Sequence, residues 1–276
     1  NVLHYFVDTN SSRGFVSFWE SNFGKLEKVV KLDGYPDLLV TQLVSQACAQ
    51  ALGCEQEVEL IHNCLDNSLQ GIILPGQKTG LLNLPAYGDE SYSLRLAEDE
   101  NLSKARERVQ RAYGCFGQAL KIHDDWERIF ISSMDFEAMD ELAEETAEKL
   151  FGGQKTDRAG SCADRFFGAA TVNGSYDYIP NITQEIPKRY FLKGRPGTGK
   201  STFLKMLARA AQDRGYRTEA YHCAFDPNSL DMIAVRELGL CVFDSTAPHE
   251  YFPDRDSDEI IDIYKAAVQP GTDEKY

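Results

Sequence analysis

The octapeptide Gly194-Arg195-Pro196-Gly197-Thr198-Gly199-Lys200-Ser201 satisfies G-x-x-x-x-G-K-[ST] at each fixed position, and its flanks constrain the fold as much as the motif does. Arg189 to Leu192 is a short apolar run of strand character, while Phe203, Leu204, Leu207, Ala208 and Ala211 recur at helical spacing. Strand, glycine loop and helix in that order predict an α/β domain in which the loop crowns a helix N-terminus. Free N–H groups and the helix macrodipole favour an anion there. To turn its amides inward the chain needs positive φ and no Cβ, which is expected at Gly194 and Gly199. On this reading Gly194, Arg195, Pro196, Gly197, Thr198, Gly199, Lys200, Ser201 and Thr202 form the binding loop for ATP or GTP. Lys200 reaches the β- and γ-phosphates and Ser201 ligates Mg²⁺. The plain alternative is a glycine-rich turn joining a strand to a helix.

A second feature divides the chain. Displaced by about 160 residues, Leu32-Asp33-Gly34-Tyr35-Pro36 overlies Leu192-Lys193-Gly194-Arg195-Pro196. His62 to Leu69 overlies His222 to Leu230 with Pro227 inserted, Ile72 falls on Ile233, Ala86 on Ala247, and His4-Tyr5-Phe6 on Arg165-Phe166-Phe167. A period this long predicts a duplicated domain, because solenoid repeats are far shorter. The copies differ where phosphates would bind: Gly197, Gly199 and Lys200 are matched by Asp37, Leu39 and Val40, and only Thr41 keeps a hydroxyl. A carboxylate would repel polyphosphate, leucine resists the turn, and valine removes the cation. The first copy is therefore expected not to bind nucleotide. The run Leu240-Cys241-Val242-Phe243-Asp244 has the form of a Walker B strand whose acid helps to hold Mg²⁺, whereas the first copy reads Gly80-Leu81-Leu82-Asn83.

The expected organisation is a degenerate P-loop-like domain over 1–88, an acidic helical insert over 89–152, and an intact P-loop NTPase-type domain over 162–276, each α/β copy built on a parallel sheet. A net charge of −14 argues against nucleic acid or an anionic membrane as the main partner. From Asp89 to Lys149 there are 16 acidic and 8 basic residues, so the insert carries −8 of that charge. Within it Leu102, Ala105, Val109, Ala112, Tyr113, Phe116, Leu120 and His123 recur at three- and four-residue steps, followed by Trp126, Ile129, Phe130 and Met134. This predicts a long helical hairpin with a further helix over Asp135 to Leu150, either packed with a solvated acidic face or serving as a lid or a protein-docking arm. Seven cysteines without C-x-x-C spacing point to reduced core residues, with neither disulfide framework nor zinc site. No apolar run approaches 18 residues, so a cytoplasmic protein is expected. The second copy stops where the first begins its insert, and a piece of a longer protein is expected.

Other residues carry less. Asp244 leads into Ser245-Thr246-Ala247-Pro248-His249-Glu250 at the carboxyl end of a strand, where ligands collect, and His249 or Glu250 is a candidate to orient a water or hydroxyl. His62 and His222 occupy equivalent strand ends, which suits fold maintenance. Asn67-Ser68 and Asn228-Ser229 resemble N-caps of short helices, and Asp254, Asp256, Asp258 and Glu259 a charge cluster at a helix N-terminus. Arg214, Arg217 and Arg236 are the candidate lid arginines of a phosphotransferase.

The duplicated halves, the single intact G-R-P-G-T-G-K-S loop, D-P-N-S-L-D from Asp226 to Asp231 and F-D-S-T-A-P-H-E-Y-F-P from Phe243 to Pro253 resemble a family of bacterial tandem P-loop proteins labelled ATPase or nucleotide kinase by analogy. The resemblance covers essentially the whole chain and implies ATP binding. In that family the first copy also carries a loop like G-G-P-G-T-G-K-S, from which Asp33 to Val40 departs. The expected activity is Mg²⁺-dependent hydrolysis of ATP or GTP by the second copy. In this scheme Lys200 stabilises the transferred phosphoryl group, Ser201 and Asp244 hold the metal, and His249 or Glu250 positions the water. No N/TKxD guanine signature is present, which tilts the base towards adenine. A nucleotide or small-molecule kinase and a non-catalytic nucleotide-gated protein-binding module are the alternatives.

Overall fold

The computed structural model describes residues 2–32, 35–83, 100–153 and 155–275. Asp33 and Gly34, Ala86, the expected boundary near residue 88 and the side chain of Leu102 lie outside the described residues. The protein is mixed α/β with sheets containing parallel strands, and it divides into two compact units. Unit 1 comprises residues 1–118, 164–182 and 224–227, and unit 2 residues 119–163, 183–223 and 228–276.

In unit 1 the elements run β1 (Val2–Tyr5), β2 (Asp8–Ser11), β3 (Gly14–Ser17), α1 (Trp19–Phe23), β4 (Lys28–Lys31), α2 (Asp37–Gly53), β5 (Val58–His62), β6 (Leu69–Leu74) and β7 (Thr79–Leu82). The five-stranded sheet has the order β1-β5-β6-β7-β4. Its core joins Val40, Val44 and Ala51 of α2 to Val58, Leu60 and Ile72 of the sheet, while Leu38, Leu39 and Leu52 of the same helix are exposed.

Two long helices follow, α3 (Glu100–Ile131) and α4 (Phe136–Phe151). The expected hairpin within the insert is thus corrected to one continuous helix of 32 residues, since no proline lies within it and Gly114 and Gly117 are carried in helical conformation. Along its stripe Phe130 is buried, while Trp126 is 49% exposed and Ala105 is exposed. Asp135 caps α4 by accepting from the amide of Ala138.

The remaining elements are β8 (Ser161–Phe166), β9 (Gly168–Thr171), β10 (Gly174–Asp177), α5 (Ile179–Thr183), β11 (Lys188–Lys193), α6 (Lys200–Asp213), β12 (Arg217–His222), β13 (Leu230–Val235), β14 (Leu240–Asp244), β15 (Glu259–Asp262) and α7 (Ile263–Ala267). The six-stranded sheet runs β15-β11-β14-β13-β12-β8. Five of its strands, β8-β12-β13-β14-β11, repeat the order β1-β5-β6-β7-β4 element for element. The core of unit 2 packs Phe203, Leu204, Leu207, Ala208 and Ala211 of α6 against Leu192, Ile233 and Val242, with Met139, Ala143 and Ala147 of α4 closing it.

The sheets are not wholly parallel as expected. β13 is antiparallel to both β12 and β14, and β6 to both β5 and β7. The chain between these strands is too short for the crossover that a parallel pair needs, and Gly239 turns the β13–β14 link at φ +63°. For the same reason Asn67-Ser68 and Asn228-Ser229 cap no helix: each precedes a hairpin strand, with Asn67 itself left-handed at φ +66°. Asp254 to Glu259 likewise precede a strand, β15, and Asp258 pairs with Arg189 at 2.9 Å. Of the seven cysteines, all free, only Cys64 and Cys241 are buried, which narrows the expected core role; Cys54 and Cys115 are exposed.

Candidate functional site

All the residues of this site belong to unit 2. Strand β11 lies between β14 and β15, parallel to both. After β11 the chain passes through α6 to one side of the sheet and later returns to form β15 on the other. The carboxyl end of β11 is therefore the point at which connections diverge, where open α/β sheets leave a crevice. The loop from Gly194 to Gly199 occupies that end, and α6 starts at Lys200 behind a left-handed N-cap, Gly199, at φ +78°.

The glycine requirements are distributed differently from expectation. Positive φ occurs at Gly197 (+79°) and Gly199, whereas Gly194 is not among the positive-φ glycines. What Gly194 supplies is space, since a Cβ there would come within 2.5 Å of the Thr198 hydroxyl oxygen. At Gly197 a Cβ would lie 2.3 Å from the carbonyl oxygen of Glu127 in α3, so this glycine needs both the conformation and the room. Thr198 is fully buried and its hydroxyl donates to the carbonyl of Arg195 at 2.7 Å, fixing the turn from inside.

The Lys200 ammonium folds back over the loop. It donates to the carbonyls of Gly194 (2.8 Å) and Arg195 (3.1 Å) and lies 3.5 Å from an Asp244 carboxylate oxygen. The other Asp244 oxygen accepts from the amide and hydroxyl of Thr246 at 3.0 and 2.6 Å. The Ser201 oxygen accepts from the amide of Leu230 at 2.9 Å, which leaves its O–H and a lone pair for a ligand. Lys193, at the tip of β11, donates to the backbone carbonyl of Ser245 and, at 3.2 Å, to that of Tyr251, tying the loop after β14 to the loop after β11. Lys200, Ser201 and Asp244 thus converge at one corner.

The other expected residues are placed less centrally. His249 is half-buried and bends back through its amide to the carbonyl of Thr246 at 2.9 Å; Glu250 is exposed, as is Thr202. Arg195 points outward to Asp273 at 3.2 Å. The three candidate lid arginines are engaged away from the loop: Arg214 with the carbonyl of Gly152, Arg217 with Glu237 and Arg236 with Glu219.

One residue of this corner escaped the sequence reading. Met232 pairs with Phe243, so the next residues outward, Asp231 and Asp244, face each other across β13 and β14. Burial first, then the charge of Asp244, pushes the Asp231 carboxyl up to about 6, against a hydrogen bond from Cys223 and the charges of His249 and Lys200. The signal was present in the repeat, because Asp231 and Asp244 are both replaced by amides, Gln70 and Asn83, at the equivalent positions of unit 1.

Oxygen donors from Ser201, Asp244 and Asp231 suit a hard divalent cation such as Mg²⁺. His123, Asp124 and Glu127 on α3 place one ligating atom each within 4.8 Å of one another, all three half-exposed; such groups are common on helix surfaces without an ion. No helix among the described residues is long and apolar enough to cross a membrane. Compared with models of protein families, with curated proteins and with solved structures, the chain matches none.

Proposed function

We propose that unit 2 binds ATP or GTP with Mg²⁺ and hydrolyses it, and that unit 1 is a related domain that does not bind nucleotide. The observation that carries this reading is the convergence of Lys200, Ser201 and Asp244 at the mouth of a glycine loop that opens α6. In this reading the amides at the start of α6 and the Lys200 ammonium take the phosphates, displacing the carbonyls that Lys200 now contacts. Ser201 and Asp244 hold the cation, which neutralises charge developing on the transferred phosphoryl group. His249, bent back beside the acidic pair, is better placed than exposed Glu250 to orient the attacking water. The shared strand order of the two sheets supports a duplicated P-loop-type domain and, with it, kinship to the tandem P-loop family.

The test is equilibrium binding of ATP and GTP with Mg²⁺, followed by steady-state phosphate release, on the intact chain and on Lys200→Ala. Binding with turnover that Lys200→Ala abolishes is the expected result. An intact chain that binds neither nucleotide at millimolar concentration overturns it.

A second reading has its own observation. Ile122 and Trp126, one turn apart on α3, are 72% and 49% exposed, next to the charged Asp124, Asp125, Glu127 and Arg128. In a nucleotide-gated module they would meet a protein partner, and tight binding without turnover would favour that role over hydrolysis.

A further inference from the structure

We propose that Asp231 is a second carboxylate of the cation site, facing Asp244 and holding the divalent ion together with Ser201. The inference rests on the nucleotide reading above and adds to it the residue that completes the metal's protein ligands.

Three observations carry it. The first is register: Asp231 and Asp244 are cross-strand neighbours at the open end of the β13–β14 ladder, and like charges set directly opposite destabilise a sheet unless something between them compensates. Lys200, 3.5 Å from Asp244, supplies part of that compensation in the free protein, but the same ammonium is required at the phosphates once nucleotide binds. A cation arriving with the nucleotide then takes its place between the acids.

The second is the position of the hydroxyl. Leu230, the residue before Asp231, donates its amide to the Ser201 oxygen, so the start of β13 is fastened to the start of α6 where Ser201 meets the site. Mg²⁺ bound with nucleotide characteristically uses one or two carboxylates, phosphate oxygens and water, and Ser201, Asp231 and Asp244 provide that set.

The third is the fate of the same positions in unit 1. Lys200, Asp231 and Asp244 correspond to Val40, Gln70 and Asn83, while Ser201 corresponds to Thr41. Gln70 and Asn83 still face each other, and the amide of Asn83 donates to the carbonyl of Gln70 at 3.0 Å. The backbone arrangement persists while its three charged groups are absent together, as expected of residues that serve one ligand. A packing role for Asp231 would not require the loss of its charge to accompany that of Lys200.

The experiment is a Mg²⁺ titration of fluorescent ATP-analogue binding to the whole chain, comparing wild type with Asp231→Asn and with Asp231→Gln, the latter being the side chain that unit 1 carries at this position. Far-UV circular dichroism identifies which variants are folded, and the readout is taken from those. Both variants are expected to raise the Mg²⁺ concentration at half-maximal effect by about 10-fold or more, while the Mg²⁺-free analogue binds no more weakly than to wild type, because loss of a carboxylate beside Lys200 removes repulsion of the phosphates. A folded variant whose Mg²⁺ midpoint equals that of wild type overturns the assignment of Asp231 alone. Failure of the wild-type chain to bind the analogue overturns the nucleotide reading beneath it.

Discussion

At the open end of β14 unit 2 gathers an ammonium, two carboxylates and a hydroxyl, and at the open end of β7 unit 1 places valine, two carboxamides and a hydroxyl on the same scaffold. The hydroxyls themselves are used in opposite senses. Ser201 accepts a hydrogen bond from the amide of Leu230, whereas Thr41 donates its proton to the carbonyl of Leu69 at 3.3 Å. The helices differ as well: α2 begins at Asp37, the counterpart of Gly197, so three residues that form loop in unit 2 are absorbed into helix in unit 1. Asp37 in that first turn puts a carboxylate at the helix N-terminus, where an anion is favoured. Fold and charged corner are thus separable features of one sequence. The strand order is kept where the charges are absent, and in unit 2 the glycine loop holds the start of α6 back to Lys200.

Lys200 is where this contrast breaks most sharply. Lys200→Ala is expected to weaken binding of MgATP at least about 100-fold, or ~2.7 kcal/mol, as loss of a charged donor from an anion site does. Val40→Ala should leave nucleotide binding untouched. A fluorescence titration of each variant makes the comparison, and equal losses in the two would mean that unit 1 participates in the site.

Gly197 and Asp37 test the loop itself. Ala at 197 must adopt φ near +79° and bring its Cβ within 2.3 Å of the Glu127 carbonyl, so Gly197→Ala is expected to destabilise unit 2 by about 1–3 kcal/mol or more. Asp37→Ala, in a regular helical turn, should cost no more than the ~0.3–1 kcal/mol of an N-terminal charge, because burial and the charge of Asp66 raise the Asp37 pKa and oppose that gain. Urea unfolding monitored by circular dichroism reads both.

An acid titration sharpens the comparison from the other unit. In unit 1 the His62 ring bonds His4 at 2.9 Å and the carbonyl of Asn67 at 3.0 Å, and burial holds its pKa down at about 4 from an ordinary 6.5. The folded form prefers the neutral ring, so this contribution is complete above pH 6.5 and is lost as pH falls from 6.5 towards 4. Between about pH 7 and pH 5 the loss is of the order of 1–2 kcal/mol. In His62→Gln that slope should diminish, the part due to His4, whose pKa burial also lowers, remaining, whatever the variant's stability at neutral pH. An undiminished slope in urea midpoints measured across this window would assign the effect to other groups.

The arrangement just compared was only partly legible in the sequence. Arg189 to Leu192 and Phe203 to Ala211 announced β11 and α6 because a buried strand and an amphipathic helix have distinct apolar periods. The element-by-element correspondence was visible in residue identities alone. Strand direction was not: whether β13 runs with or against β14 depends on the few residues linking them, and the apolar run Met232 to Val235 reads the same either way. That hidden direction is why Asp231 went unnoticed, since its approach to Asp244 exists only in an antiparallel pair. At Gly194 the expected lack of room for a Cβ is found but the positive φ is not, because the motif requires glycine without revealing whether φ or space imposes it. The continuity of α3 could not be read either, because its apolar stripe runs on through Trp126 and Ile129, which suit one long helix or two short ones equally.

The smallest expected effect is the most discriminating. Asp37→Gly, Leu39→Gly and Val40→Lys together restore the loop's key glycines and lysine to unit 1, yet no gain in ATP binding is expected from this triple variant. The new lysine would face Gln70 and Asn83, neutral amides that neither balance its charge nor hold Mg²⁺, and the Thr41 proton would remain committed to Leu69. Adding Gln70→Asp and Asn83→Asp supplies the missing acids, and only this five-fold variant is expected to bind MgATP. The comparison is made in a Lys200→Ala background so that unit 2 contributes little signal. Measurable affinity in the triple variant would show that the loop alone suffices and that the acids of β13 and β14 serve some purpose other than holding the cation.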